Sequence, residues 1–488
     1  MMTQRKEECM RFKMLLGGGL VAAVLLLGAV PALAQEGDTT VDVTVVEAEL
    51  VERFTGTAAD IAQTVILDNI FIFVAGVLVF FMQAGFALLA VGLTRAKNSA
   101  NMMMKSLMDA ALGVLVFGLV GWGLAYPGFV GGWFGFAGWG VPGLLDPLPD
   151  LSALGPDFYP LSVSTDFFFQ AAFAATAATI VAGAVAERTK FVSYLIYTVL
   201  ITGLIYPVVV SWKWGGGWLD ERGFVDFAGS GLVHLTGGVA ALMGAIILGP
   251  RIGKFGADGK PRAIPAHSIP LALTGVMILF IGFFGFNPGS ALQADMSVPV
   301  IAVLTLFAAC AGATGALLSS WVLLKKPDVS MAGNGLLAGL VSICAVVGTV
   351  DVVPALIIGF FAGIIVVPAA LLLERAFKVD DPVGAVAVHA VSGFWGLIAA
   401  GLFTIDEGLF EGGGTELLVT QVLGALAIIA WVAVTTGILF GGMKAIGILR
   451  VSPAEELEGL DLSEHGAPGY SDDVLAGMGE ELLVSTKG

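Results

Sequence analysis

Eleven stretches of this chain stay apolar for about twenty residues, the length a helix needs to cross the hydrocarbon core of a bilayer. They fall near 66–93, 103–126, 166–186, 191–211, 227–249, 268–288, 298–324, 333–350, 353–373, 384–404 and 418–443. Lipid offers the backbone no hydrogen-bond partners, so a spanning segment must satisfy its own amides, and unbroken runs of this length do so as helices. The expected fold is an all-α polytopic membrane protein. Only 13% of the residues are charged, against roughly 25% in a soluble domain. The 67 glycines suit helices whose backbones approach closely in lipid.

The charges orient the spans. Arg5, Lys6, Arg11 and Lys13 precede an apolar run, Met14–Val30, and Ala32-Leu33-Ala34 follows as a cleavage pattern. Residues 1–34 are therefore expected to be a cleaved signal peptide, which leaves the mature N-terminus outside. With eleven spans the C-terminus is then inside. The five loops this makes cytoplasmic carry thirteen basic residues: Arg95, Lys97, Lys105, Arg188, Lys190, Arg251, Lys254, Lys260, Arg262, Lys325, Lys326, Arg375 and Lys378. The exterior holds only Arg53, Lys213 and Arg222, so the positive-inside rule gives the same orientation. The expected organisation is an exterior segment 35–60, a transmembrane domain 61–449 and a cytoplasmic tail 450–488. The domain divides into halves of about 61–250 and 263–405 and an eleventh helix of about 418–445. The net charge of −16 is no uniform acidic surface: nine carboxylates follow Val451 and eight lie between Glu36 and Asp68. Nothing in this distribution supports nucleic-acid binding.

Asp226 to His234 and Asp381 to His389 both read D-x-x-G-x-x-x-V-H, at the start of the fifth and tenth spans. An odd number of spans separates equivalent positions, so the two copies run in opposite directions: five spans, an inverted repeat of five, then a last helix. Each Asp suits a helix N-terminus. At about 1.5 Å per residue, each histidine lies roughly 12 Å in, so the two approach the midplane from opposite faces. They are the only ionisable side chains expected deep inside a span, which makes them a functional hypothesis.

Metal, carboxylate-pump and hydrolytic readings lack the residues they need. No span supplies further ligands at that depth. H-E-x-x-H, G-x-S-x-G and the P-loop are absent. Cys310 and Cys344 sit in apolar spans as packing residues, and no cofactor, metal or enzymatic activity is implied. Desolvation favours neutral imidazole. Two neutral rings in contact share one proton between facing nitrogens and keep one outward donor and one outward acceptor. Such a pair can bind a small neutral solute or relay a proton.

The chain resembles the ammonium transporters of the Amt/Mep/Rh superfamily, and specifically the Amt branch. The resemblance is carried by Phe81-Met-Gln-Ala-Gly-Phe86 with Arg95-Ala-Lys-Asn98, and by Phe169-Gln-Ala-Ala-Phe173 through Ala186-Glu187-Arg188. Asp226 to His234, Gly285-Phe-Asn-Pro-Gly-Ser290, Asp381 to His389 and the tail from Arg450 to Tyr470 complete it. It implies ammonium transport across the plasma (inner) membrane by a homotrimer with one narrow pore per protomer. His234 and His389 would be the twin-histidine pair, Phe173 and Phe286 the outer gate. Trp214, Ser290 and Phe169 would form the vestibule that recruits ammonium, Asp226 would support that vestibule, and Asp381 is its symmetry-related cap. Glu458-Gly-Leu-Asp461 and His465-Gly resemble the tail segment that docks the PII signalling protein. Lys213 beside Trp214 departs from the pattern and is expected to face away from the vestibule. His267 and His465 are given no transport role. An ammonium sensor with little flux and a Rh-like neutral gas channel stay open.

Overall fold

A computed structural model describes residues 58–129, 131–146 and 161–471. The signal peptide expected over 1–34 and nearly all of the exterior segment 35–60 lie outside the described residues, as does the tail beyond Ser471. Among the described residues no β-strand forms. The helices are α1 Ala58–Leu93, α2 Ala96–Ala125, α3 Val163–Ala184, α4 Phe191–Lys213 and α5 Ser230–Leu248. They continue with α6 Ile269–Gly289, α7 Ser297–Leu324, α8 Val329–Ile343, α9 Val352–Arg375, α10 Val386–Phe403 and α11 Glu416–Ala445. Ten of the eleven are long and apolar enough to cross a membrane; α8 is the short one. Two small helices, α12 Pro453–Glu458 and α13 Leu460–His465, follow in the tail.

Local chemistry sets the helix starts. Ser162, Ser268 and Asp328 each accept a backbone N–H from the first turn of α3, α6 and α8. Ser452 and Glu455 form a reciprocal capping box on α12. The eighth span, expected over 333–350, is helical only to Ile343. Beyond it the chain unwinds, and the carbonyls of Cys344 and Ala345 accept the amides of Ala228 and Phe227. Backbone can leave the helix at membrane depth because another buried segment satisfies it.

Helix α1 packs against α6 and α5 against α10, each a pair of counterparts from the two halves. Helices α5 and α10 run antiparallel, because Gly238 faces Ala390 whereas Gly393 faces Ser230 and Leu235. A Cβ on Gly238 would fall 2.2 Å from the Ala390 nitrogen, so a small residue is what lets these backbones meet.

At the end carrying the basic loops, a buried ionic network ties four connections together. Glu187 pairs with Arg95 and with Arg251 (2.8 Å), and Arg251 grips Asp380 through two nitrogens at 2.9 Å. Arg188 donates to the carbonyls of Ala186, Gly249 and Asp380. Burial alone would raise Asp380, but the Arg251 fork and the Arg188 charge outweigh it and hold the carboxyl at about 2. Burial likewise opposes Glu187, and the Arg251 and Arg95 charges hold it below the usual range.

Candidate functional site

The two copies of the repeated motif fold alike. The Asp226 carboxylate accepts the amides of Gly229, Gly231 and Leu232 at 3.2, 2.9 and 2.8 Å. Asp381 accepts those of Gly384 and Val386 at 3.0 and 2.8 Å. Three residues after each Asp the chain takes a left-handed turn, with φ +106° at Gly229 and +80° at Gly384, which only glycine adopts cheaply. Each copy then enters one π-helical turn, Ser230–Leu235 and Val386–Val391, and the histidine sits in it. Such turns recur at functional sites.

These turns bring the histidines together. The Nδ1 atoms of His234 and His389 are 3.2 Å apart, with ring centroids at 5.2 Å. Both side chains are buried. A contact this short between like nitrogens holds one proton, with one ring donating and the other accepting. The Nε2 of His234 is buried and has no hydrogen-bond partner among the described residues. A polar atom left so in a packed interior is what a small polar guest would satisfy.

Aromatic rings continue the line. Phe286 lies 5.3 Å from His234 and stacks on Phe173, centroids 4.1 Å apart. Phe169 and Trp214 pack on Phe173 at 4.7 and 5.9 Å. Beyond the stacked pair opens a cavity of about 340 Å³ lined by Trp214, Ser290, Phe169, Phe173, Asp166 and Gln170, among others. The Trp214 indole is held by donating to the Asp226 carbonyl at 3.0 Å. Ser290 Oγ donates to the Phe286 carbonyl, so its lone pairs stay available as acceptors. On the other side of the histidines lies a cavity of about 20 Å³, bounded by His389, Phe86, Thr179 and Asn334. That is room for about one water. A third cavity, about 190 Å³, follows at the basic end, and Asn334, Asp381, Lys254 and Glu374 line it.

All nine sequence-predicted site residues therefore fall along one line or cap the turns that bear on it. Lys213 pairs with Asp220 and is absent from the vestibule lining. Asp166, Gln170, Thr179 and Asn334 were not anticipated. Asp166 was the most detectable of them, an acid just before Phe169 at the head of the third span.

Three expectations need correction. The histidines are not the only ionisable side chains deep in a span, because Asp109 is fully buried in α2. Lys105, assigned to a loop, is likewise buried in α2 beside it, where the tail helix α13 packs. Cys310 is exposed on α7 rather than packed inside, whereas Cys344 is buried and donates to Asn287. Among the described residues no cluster of three or more His, Cys, Asp or Glu is placed to hold a metal ion.

Comparison with known proteins gives concordant matches. The family model described as Ammonium Transporter Family matches residues 70–470. Ammonium transporter Amt2 of Archaeoglobus fulgidus is 42% identical over 430 residues, covering 84% of this chain and 89% of that protein. A putative ammonium transporter of Synechocystis is 44% identical over 413 residues, 83% of this chain and 89% of its own length. Among solved structures, a protein described as Sensor Amt Protein superposes with a TM-score of 0.76 at 35% identity, over 83% of this chain and 99% of its own.

Proposed function

The chain belongs to the ammonium transporter family, and we propose that it recruits ammonium at the Trp214 vestibule and passes ammonia through the histidine-lined pore. The observation that carries this reading is the unbroken sequence of parts: an aromatic vestibule, a stacked phenylalanine pair, two histidines in contact and an apolar exit.

Energetics say why the ion is split. Moving an intact ammonium-sized ion into an apolar interior costs several kcal/mol even after relaxation. Giving up a proton at a pH about two units below the ion's own pKa costs only about 3 kcal/mol. Trp214, Phe169 and Phe173 hold the cation by their ring faces, worth about 0.5–2 kcal/mol. Ser290 adds an acceptor, and the Asp166 carboxylate adds negative potential at the mouth. The proton is removed before the phenylalanine pair. Neutral ammonia then meets the outward Nε2 of His234 and crosses to the exit, with or without a proton relayed separately by the paired rings.

The vestibule faces outward and the basic loops and tail face the cytoplasm, a reading supported by the charge bias. The protein works as a homotrimer, and its tail meets a PII-type signalling protein. Light scattering of the detergent-solubilised protein tests the first, and co-purification with a PII protein tests the second.

Replacing Ser290 by Ala or Trp214 by Leu separates this reading from a neutral gas channel. At fixed pH the half-saturating ammonium concentration rises by about 3- to 10-fold, the loss of roughly 1 kcal/mol of cation binding. An unchanged concentration dependence in labelled methylammonium uptake contradicts recruitment. The sensor reading is favoured by one observation, the similarity to the solved Sensor Amt Protein. Negligible uptake by the parent protein in proteoliposomes would leave that reading in place.

A further inference from the structure

Asp109 and Lys105 are fully buried ionisable groups that the pore does not use. They lie one helical turn apart on α2, and the helix breaks into a π-turn at Asp109. An ionisable pair at this depth is costly and calls for a role. The surroundings form a polar path that starts at the pore wall. Thr179 lines the small cavity beneath His389, and the helix that carries it, α3, packs on the π-turn that begins at Asp109. The Thr179 hydroxyl hydrogen-bonds Gln83 Oε1 at 2.6 Å, and Gln83 Nε2 is buried without a hydrogen-bond partner among the described residues.

On its other side Asp109 accepts from Tyr194 and from Thr198, the latter at 2.7 Å. Lys105 Nζ lies 5.4 Å from the Tyr194 ring centroid and has no hydrogen-bond partner among the described residues. The carboxylate acting most strongly on it is Glu464 of the tail helix, half-buried at the basic end and accepting the Phe191 amide. The other titratable groups facing the pair are Tyr197 on α4, Glu187 and Arg188 in the α3–α4 loop, and His465 of the tail helix α13.

We propose that Thr179, Asp109, Lys105 and Glu464 form a proton exit beside the ammonia pore, leading from the cavity beneath His389 to the cytoplasmic face. The proposal rests on the transport reading above and adds a separate route for the charge. A proton on a water in that cavity passes to the Thr179 oxygen, and the hydroxyl turns from Gln83 to hand its own proton to Asp109. Neutral Asp109 no longer balances the Lys105 ammonium, which releases a proton past Glu464 to the cytoplasm. The Asp109 proton then moves to the Lys105 amine and restores carboxylate and ammonium. One proton enters and one leaves. A purely structural Asp109, hydrogen-bonded to tie α2 to α4, would not need an unpartnered lysine one turn away.

The test uses the full-length protein in proteoliposomes, with ammonium-triggered current and ammonia permeability measured separately. Asp109→Asn keeps the shape and most hydrogen bonds, and Lys105→Met removes only the charge. Both lower the current by at least about tenfold, as expected for loss of a proton-transfer group. Ammonia permeability driven by a pH gradient stays within about twofold of the parent, which also shows that the variants fold. Asp109→Glu restores most of the current. Parent-like current in both variants overturns the proposal alone. Equal loss of current and permeability overturns it in favour of a structural role. A parent without ammonium-dependent current overturns it together with the idea that charge crosses at all.

Discussion

A histidine buried in an apolar helix ordinarily serves packing, and what distinguishes His234 is the company of its two nitrogens. Nδ1 meets His389 at 3.2 Å, and Nε2 has no partner among the described residues. That division of labour separates a ring that relays or binds from one that merely fills space. Asp226 makes the same point for a carboxylate: its oxygens collect three amides while its own carbonyl holds the Trp214 indole. Asp226→Asn presents an NH2 to backbone donors and leaves at least one buried amide unpaired. We expect a loss of about 1–3 kcal/mol, read as a lower melting temperature in detergent, with weaker ammonium recruitment as Trp214 loosens. A parent-like melting temperature would contradict this account of the cap.

At the scale of elements, the repeated unit is a sharp turn more than a helix. An acid caps it, glycine three residues later takes the left-handed conformation, and a π-turn carries the histidine. Gly229→Ala forces a side chain into that conformation at about 1–2 kcal/mol, and its Cβ would also sit 2.7 Å from Val233 and 3.1 Å from Trp214. Transport should therefore fall more than stability does, which uptake and melting measured on one preparation would show.

Much of this unit was legible in the sequence. The D-x-x-G-x-x-x-V-H spacing and the charge bias carried the opposed directions and the common depth of the histidines, because helix rise converts residue count into distance. Other features depend on tertiary contacts and left no local trace. The unwinding of α8 after Ile343 requires Phe227 and Ala228 to donate their amides to the carbonyls it frees, and the two segments lie far apart in the chain. Lys105 read as a loop cation because the tail helix packed near it, α13, lies more than 350 residues away.

On the scale of the whole molecule, the ionic network at the basic end holds the two halves in register beneath the paired histidines. Arg251 joins Glu187 of the first half to the carboxylate of Asp380, the residue preceding the second motif, and Arg188 holds the Asp380 carbonyl. Asp380→Asn breaks a buried pair and should destabilise by about 3–5 kcal/mol at neutral pH. Because the native carboxyl is held at about 2, below its ordinary value, its contribution is complete above about pH 4 and fades as pH falls toward about 2. The melting-temperature gap between parent and variant should therefore narrow on acidification, and a gap independent of pH would contradict the assignment. The network and the paired turns serve one end, a narrow path with two histidines in contact at its centre. The most direct test of that claim is ammonium-triggered current and labelled methylammonium uptake in proteoliposomes, comparing the parent with His234→Ala and His389→Ala. Each variant should lose current by roughly 100-fold or more, or change its dependence on pH and charge. Variants that transport like the parent, with the same pH and charge dependence, would contradict it.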